Sequence, residues 1–305
     1  MDNLHSKYAI LITTKNRKDE LLFTLNSITK NKTNDVEIVV FDDGSFDGTS
    51  AMVEEKFPNI ILKRNEISKG LIACRNSMLN ATKSEFAISL DDDSHFVSKN
   101  YLLEIADFFN KNKDCGVIGF RVFWGKQLPN NIVSDEIPYS VKSFVGCGHA
   151  WRMKAWKEIP NYPEWFVFYG EEDFASYHLF KNKWKIIYNP VLFVQHRVDL
   201  KARRNEADIL KRTRMSFRSG LYLFFLFLPI NVAAYSFLSS IWVYVKNKIF
   251  KGNKIATIAF FQVIFDLLIN TPRLIRFRDT LTKEEYSIFK QLPDSQIFWK
   301  PKNKE

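Results

Sequence analysis

The stretch Phe86-Ala87-Ile88-Ser89-Leu90-Asp91-Asp92-Asp93 decides how this chain is read. Its apolar first half predicts a short buried β-strand, and the strand runs straight into three adjacent carboxylates. Like charges packed at a strand end repel one another, so the cluster costs free energy unless a cation offsets it. Hard divalent ions take oxygen ligands, and Mg²⁺ is usually held by one or two carboxylates together with substrate phosphates. A solvated Asp-rich turn would carry the same triplet, so the rest of the sequence has to choose between the two readings.

Upstream, Tyr8-Ala9-Ile10-Leu11-Ile12-Thr13-Thr14 is a continuous run of the kind found in parallel strands buried on both faces. Asp19 to Ile28 spaces Leu22, Leu25 and Ile28 as an amphipathic helix does. A second strand, Val36 to Phe41, ends in Asp42-Asp43-Gly44-Ser45, and a helix from Thr49 to about Lys56 follows it. Ile60-Ile61-Leu62 is a third strand, and Gly70 to Asn80 is helical before the strand that ends at Asp91. This alternation predicts an α/β protein with a mostly parallel, doubly wound sheet and flanking helices. Ligands of such sheets bind outside the carboxyl ends of the strands, where every polar cluster named so far lies. Neither a GxGxxG nor a Walker A sequence is present. A phosphate-bearing ligand is still expected, because a metal of this type bridges phosphate oxygens.

In order along the chain stand Thr13-Thr14-Lys15-Asn16-Arg17, Asp42-Asp43-Gly44-Ser45, Asn65 with Gly70 and Ala73-Cys74-Arg75-Asn76, and Asp91-Asp92-Asp93. Gly146-Cys147-Gly148-His149-Ala150-Trp151-Arg152 and Gly170-Glu171-Glu172-Asp173 follow. Each motif is weak alone; as an ordered set they resemble the family-two inverting glycosyltransferases of GT-A fold over roughly the first two-thirds of the chain. The resemblance implies a nucleotide-sugar donor (UDP-, dTDP- or GDP-linked), Mn²⁺ or Mg²⁺ as cofactor, and a glycan or lipid-linked acceptor such as a growing cell-surface polysaccharide.

It also implies roles. Thr13 and Asp43 resemble positions that hold the nucleotide base, with Asn16, Arg17, Asn65, Gly70 and Arg75 around the donor. Asp91 or Asp92 would face ribose or sugar, and Asp93 would ligate the metal, with His196 at the end of Val191-Leu192-Phe193-Val194 as a further ligand. Asp42 reads equally well as an Asx-turn residue. Transfer needs a base for the acceptor hydroxyl, and Asp173 is the first choice with Glu172 next. An acidic first turn of a helix would look the same. Trp124, Trp151, Trp156 and Trp165 could stack on sugars or fill the core, and Trp165 to Tyr169 is the best stretch for acceptor contact. Two departures from the family pattern are the absent basic residue after the acidic motif and Lys183 where a Gly is usual.

Three cysteines far apart, without a CxxC pair, support neither a disulfide framework nor a zinc site and fit a reducing cytosol. The N-terminal residues lack a secretory signal pattern. The net charge of +10 belongs to the C-terminal third: residues 1–200 hold 25 Lys and Arg against 26 Asp and Glu, residues 201–305 hold 19 against 8. No nucleic-acid motif accompanies this charge, so a membrane surface is the expected partner and nucleic acid is not. Ser219 to Val245 is 27 residues without a charge, interrupted by Pro229, whereas Ile255 to Phe265 is too short to span before Asp266. Cations on both sides of the first run favour a helical hairpin lying on the cytoplasmic face, peripheral or monotopic, over a single span. We therefore expect a catalytic domain over residues 1–212, separable as a soluble unit, and a helical, basic, membrane-associated region over 213–305. Two other classes compete: a sugar-nucleotide-forming nucleotidyltransferase, which should carry a Gly-rich loop after the first strand, and an inactive membrane scaffold, which should have lost its acidic clusters.

Overall fold

The computed structural model describes residues 6–30, 35–198 and 206–301. Strands β1 (Tyr8–Thr14), β2 (Val36–Asp42), β3 (Ile61–Arg64) and β4 (Phe86–Asp91) pair in parallel, linked by helices α1 (Lys18–Thr29), α2 (Thr49–Lys56) and α3 (Leu71–Ala81). The chain continues through β5 (Ser94–Phe96), α4 (Tyr101–Lys111), β6 (Cys115–Trp124), β7 (Tyr139–Ser140), β8 (Gly148–Arg152), α5 (Met153–Lys157), α6 (Glu171–Lys181) and β9 (Lys185–His196). The described strands form one sheet in the order β3-β2-β1-β4-β8-β6-β9-β5, with β7 beside β9. β8 runs antiparallel between β4 and β6, and β5 and β7 pair antiparallel with β9, so the sheet is mixed with a parallel half from β3 to β4. This is the α/β sheet expected from the alternation of apolar runs.

Alternate side chains of each strand point to opposite faces. Ile10, Ile12, Ile38 and Val40 pack with α1, α2 and α4, whereas Ala9, Leu11 and Val39 pack with α3, α5 and α6. Both faces are therefore apolar, as continuous runs such as β1 require. Lys183, at the end of α6 where a glycine was expected, has the left-handed φ of 64° that glycine adopts without strain. The three cysteines are free and buried.

The C-terminal third departs from the sequence reading. Helix α7 (Glu206–Phe227) runs through the boundary read at 212/213, and Tyr222, Leu226 and Phe227 are buried in the same core as Phe166 and Phe174. Residues 201–205, the start of the basic stretch, lie outside the described residues. After Pro229, α8 (Ile230–Tyr244) has 15 residues, about 22 Å at 1.5 Å per residue and short of a bilayer core. The charge-free run is thus partly domain core and partly a short helix. Helix α9 (Lys254–Arg276), which was read as too short, is instead the described helix long and apolar enough to cross a membrane. Its buried Asp266 pairs with Arg214 at 2.5 Å and Arg218 at 3.6 Å, which fastens α9 to α7. Helix α10 (Lys283–Gln291) follows, started by a reciprocal Thr282–Glu285 capping box.

One expected result follows from this shared core. Truncation after residue 212 strips Tyr222, Leu226 and Phe227 from it. Each such loss costs about 2–5 kcal/mol against a total stability of about 5–15 kcal/mol. The truncated chain should show no cooperative thermal transition, and a sharp one in calorimetry would contradict the shared core.

Candidate active site

Strand register assembles the site. Thr13 pairs with Asp91 across β1 and β4, and Thr14 with Asp42 across β1 and β2, so three strand ends lie level at one edge of the sheet. Ser94 of β5 pairs antiparallel with His196 of β9, and Arg197 N–H donates to the Asp93 carbonyl at 2.9 Å. Two residues a hundred positions apart are thereby held side by side: His196 Nε2 lies 2.9 Å from Asp93 Oδ1 and 3.8 Å from Asp91 Oδ2. Asp91, Asp93 and His196 each present a ligand atom within 4.8 Å of the others. Two hard carboxylate oxygens and an imidazole nitrogen fit Mn²⁺, or Mg²⁺ with a less suited nitrogen ligand.

The triplet therefore divides its labour. Asp91, expected beside the ribose or sugar, stands with the metal set. Asp92 is buried, accepts from Thr14 Oγ1 at 2.9 Å and pairs with Arg17 Nε at 2.9 Å. Burial raises its pKa to about 7; Arg17 opposes that rise, while Asp93 and Asp91 add to it. Arg17 also reaches Asp93 Oδ2 at 2.6 Å and so balances the cluster from the start of α1.

On the donor side, Asp43 accepts from Asn65 Nδ2 (2.8 Å), Ser68 Oγ (2.6 Å), Lys69 N (2.8 Å) and Gly70 N (2.9 Å). Burial alone would raise its pKa, but these bonds hold it below the usual carboxylate range. They also occupy the roughly four lone-pair positions a carboxylate has, so Asp43 organises the 65–70 loop at the cleft wall. Asn65 acts through Asp43. Asn16, with φ 53°, accepts from Phe46 N and ties the β1 end to the neighbouring loop, away from the cleft. Asp42 is the Asx-turn residue: it accepts from Ser45 N at 2.8 Å and from Ser50 Oγ. Thr13 lines the cleft, and its buried Oγ1 has no hydrogen-bond partner among the described residues.

Arg75, expected at the donor, is instead the bridge of the site. Its Nη1 donates to Glu171 and Glu172 at 3.0 Å each, and its Nη2 to Asp91 at 2.9 Å and Gly146 O at 3.1 Å. The buried guanidinium thus links the metal set to the acidic first turn of α6. A Cβ on Gly146 would lie 2.0 Å from Glu172 Oε1, so this position admits only glycine if Glu172 keeps its place. Burial raises the pKa of both Glu171 and Glu172, with Arg75 opposing it, and the two titrate as a pair. Asp173 opens onto the cavity yet sits deep in the concavity; this desolvation raises its pKa, against a bond from the Ser143 hydroxyl. Replacing Arg75 with Met should cost about 3–5 kcal/mol, since Glu171, Glu172 and Asp91 lose the guanidinium they share. The loss would be read as a lower urea midpoint, and an unchanged midpoint would show that the bridge contributes nothing to stability.

Two cavities meet here. One of about 490 Å³ is lined by Thr13, Lys15, Arg17, Asp43, Ser68, Gly70 and the triplet. The other, about 510 Å³, is lined by Arg75, Glu171, Glu172, Asp173, Ser143 and Trp124. They share Leu71, Asp91, Phe168, His196 and Arg212. Between them the backbone is strained: Val167 (φ 66°) and Tyr169 (φ 66°) occupy the left-handed region, an outlier for a β-branched residue. Of the tryptophans, Trp151 and Trp156 are core, Trp165 packs on Tyr222, and Trp124 reaches the second cavity. Sequence reasoning missed Asp208, Lys211 and Arg212 of α7, which line the first cavity. Their basic run had been read as a membrane signal.

A sheet whose carboxyl edge carries an acidic cation set between two clefts is the architecture of the GT-A glycosyltransferases. Residues 9–179, more than half of the chain, match the model of Glycosyl transferase family 2, and the chain belongs to that family. Over 91 residues it is 31% identical to the Escherichia coli UDP-Glc:alpha-D-GlcNAc-diphosphoundecaprenol beta-1,3-glucosyltransferase WfaP, covering 30% of this chain and 36% of that one. The chain spans about a third of the length of the curated relatives it matches. In fold it resembles GalNAc-T7 with UDP, GalNAc and Mn²⁺ (TM-score 0.59, 16% identity, 74% of this chain and 49% of that one). It also resembles the Pyrobaculum calidifontis mannosyltransferase PcManGT with GDP-Man and Mn²⁺ (TM-score 0.55, 14% identity, 94% and 84%).

Proposed function

We propose that this enzyme moves a sugar, with inversion, from a nucleoside-diphosphate donor to a hydroxyl of a lipid-linked or growing cell-surface glycan, and needs Mn²⁺ or Mg²⁺. The observation that carries the reading is the junction of two cavities at Asp91 and His196, with Arg75 joining the cation set to Glu172. Mn²⁺ accompanies UDP and GalNAc in one structural neighbour and GDP-Man in the other, and the name of the Escherichia coli relative gives a diphosphoundecaprenol acceptor.

A divalent cation held by Asp91, Asp93 and His196 would supply Lewis-acid neutralisation of the diphosphate. Thr13 and the Asp43-ordered loop would hold the nucleoside, and Lys15, Lys211 and Arg212, which line the same cavity, would add positive charge at the phosphates. Across the junction a carboxylate takes the acceptor proton as its oxygen attacks the anomeric carbon, and the bond to the diphosphate breaks with its electron pair leaving on the nucleotide. Asp173 was the first choice for that base. The shared Arg75 favours Glu172, which it ties to Asp91, whereas Asp173 turns toward Ser143. The test is a hydrolysis screen of UDP-, dTDP- and GDP-sugars with Mn²⁺ and with Mg²⁺, because slow hydrolysis needs no acceptor. Hydrolysis with none of them, under either metal, would count against the reading.

The acceptor class agrees with the outer face of the C-terminal helices. Tyr235 (74% exposed), Leu238 and Trp242 line one side of α8, and Phe261, Phe265, Leu268 (69%) and Ile269 line one side of α9. Both sets follow helical spacing, and Lys246, Lys248 and Lys251 lie between the helices. We place this face in the cytoplasmic leaflet as a monotopic anchor, since Asp266 holds the opposite side of α9 to the catalytic domain. Each cation near an anionic surface contributes about 1 kcal/mol. Binding to vesicles containing phosphatidylglycerol should weaken with salt without vanishing, as the apolar term is unscreened. Equal binding to neutral vesicles at all salt concentrations would contradict it.

A further inference from the structure

Beyond α10 the chain returns across the catalytic domain and is fastened at both ends. The Lys142 backbone N–H donates to Pro293 O at 2.9 Å, and Lys142 Nζ pairs with Asp294 at 3.0 Å. At the other end Trp299 is 4% exposed, and its backbone N–H donates to Val122 O. Its indole lies 4.5 Å from the buried Arg121 guanidinium, which also rests 4.2 Å from the Phe193 ring. Between these fastenings Ser295 and Ile297 line the cavity of Glu172 and Asp173. Phe298 stacks on Trp124 at 5.2 Å, and Trp124 meets His196 edge-on at 5.9 Å.

We propose that residues 293–299 are a wall of the acceptor cavity that selects a sugar hydroxyl against water. The proposal rests on reading that cavity as the acceptor site. Water and a sugar hydroxyl undergo the same bond exchange at the anomeric carbon: the new C–O bond forms, the bond to the diphosphate breaks onto the nucleotide, and the entering proton goes to the base carboxylate. Discrimination therefore depends on keeping bulk water from the junction, and an enclosed site suppresses such side reactions. The segment suits this task because it is held by Trp299 and Lys142, outside the donor cavity, while Ser295 and Ile297 line the acceptor side.

The experiment uses the full chain, a truncation after residue 292, and Ile297→Trp, a substitution at a 57% exposed position on the cavity rim. Two quantities are measured without acceptor: hydrolysis of the nucleotide sugar that the full chain cleaves fastest, and binding of the matching nucleoside diphosphate with Mn²⁺. Truncation should raise hydrolysis about threefold or more and Ile297→Trp should lower it by a similar factor, with nucleotide binding within about twofold in both. Should the truncation fail to fold, Ile297→Trp decides alone. Hydrolysis unchanged or raised in Ile297→Trp, or lost together with nucleotide binding, overturns the wall. A full chain that neither binds the nucleotide nor cleaves any sugar donor would remove the acceptor-site reading itself, and the wall with it.

Discussion

Asp93→Ala should abolish turnover and weaken binding of the nucleoside diphosphate with Mn²⁺. Asp93 is buried, faces His196 at 2.9 Å and accepts from Arg17, so its loss unbalances both the cation set and the start of α1. A Lewis acid on a diphosphate is worth several kcal/mol of transition-state charge, which corresponds to about 10³-fold or more in rate. EDTA should give the same loss, restored by excess Mn²⁺. Asp92→Asn serves as the contrast, since Asp92 binds Thr14 and Arg17 and stands outside the cation set. Its effect should be smaller and fall mostly on stability. Full turnover of the wild-type protein in excess chelator would remove the role given to Asp91, Asp93 and His196.

The base gives the second large effect. Glu172→Gln should lower kcat by about 10²–10⁴-fold while nucleotide binding stays nearly unchanged, because the base acts on the acceptor alone. Glutamine keeps the shape and still accepts a hydrogen bond from Arg75, so the loss reports proton transfer more than collapse of the bridge. Asp173→Asn should be milder. The reverse ranking would return the role to Asp173, the residue preferred on the motif alone. Comparable losses in both would mean that the first turn of α6 acts as one acidic unit.

Much of this site is legible in the one-dimensional chain because strand ends of a parallel sheet converge on one edge. The apolar runs ending at Thr14, Asp42 and Asp91 needed only their order and sheet type to bring Thr13, Asp43 and the triplet to a common cleft. The acidic first turn at Glu171 to Asp173 was equally readable, since a left-handed Gly170 precedes it. What a side chain does there depends on neighbours remote in sequence. Only the antiparallel return of β5 onto β9 puts His196 beside Asp93, and only the packing of α3 under the first turn of α6 turns Arg75 from a donor contact into a bridge. Asp91 and Asp92 are chemically identical, and the alternation of a strand end sends one toward the cation set and the other toward Thr14. Hydropathy could not sort the charge-free run for the same reason. An apolar run is stabilised by leaving water whatever it packs against, so Tyr222, Leu226 and Phe227 read alike for core or membrane. The partner, supplied by the fold, decided that they belong to the catalytic core, and that the outward faces of α8 and α9 stay exposed.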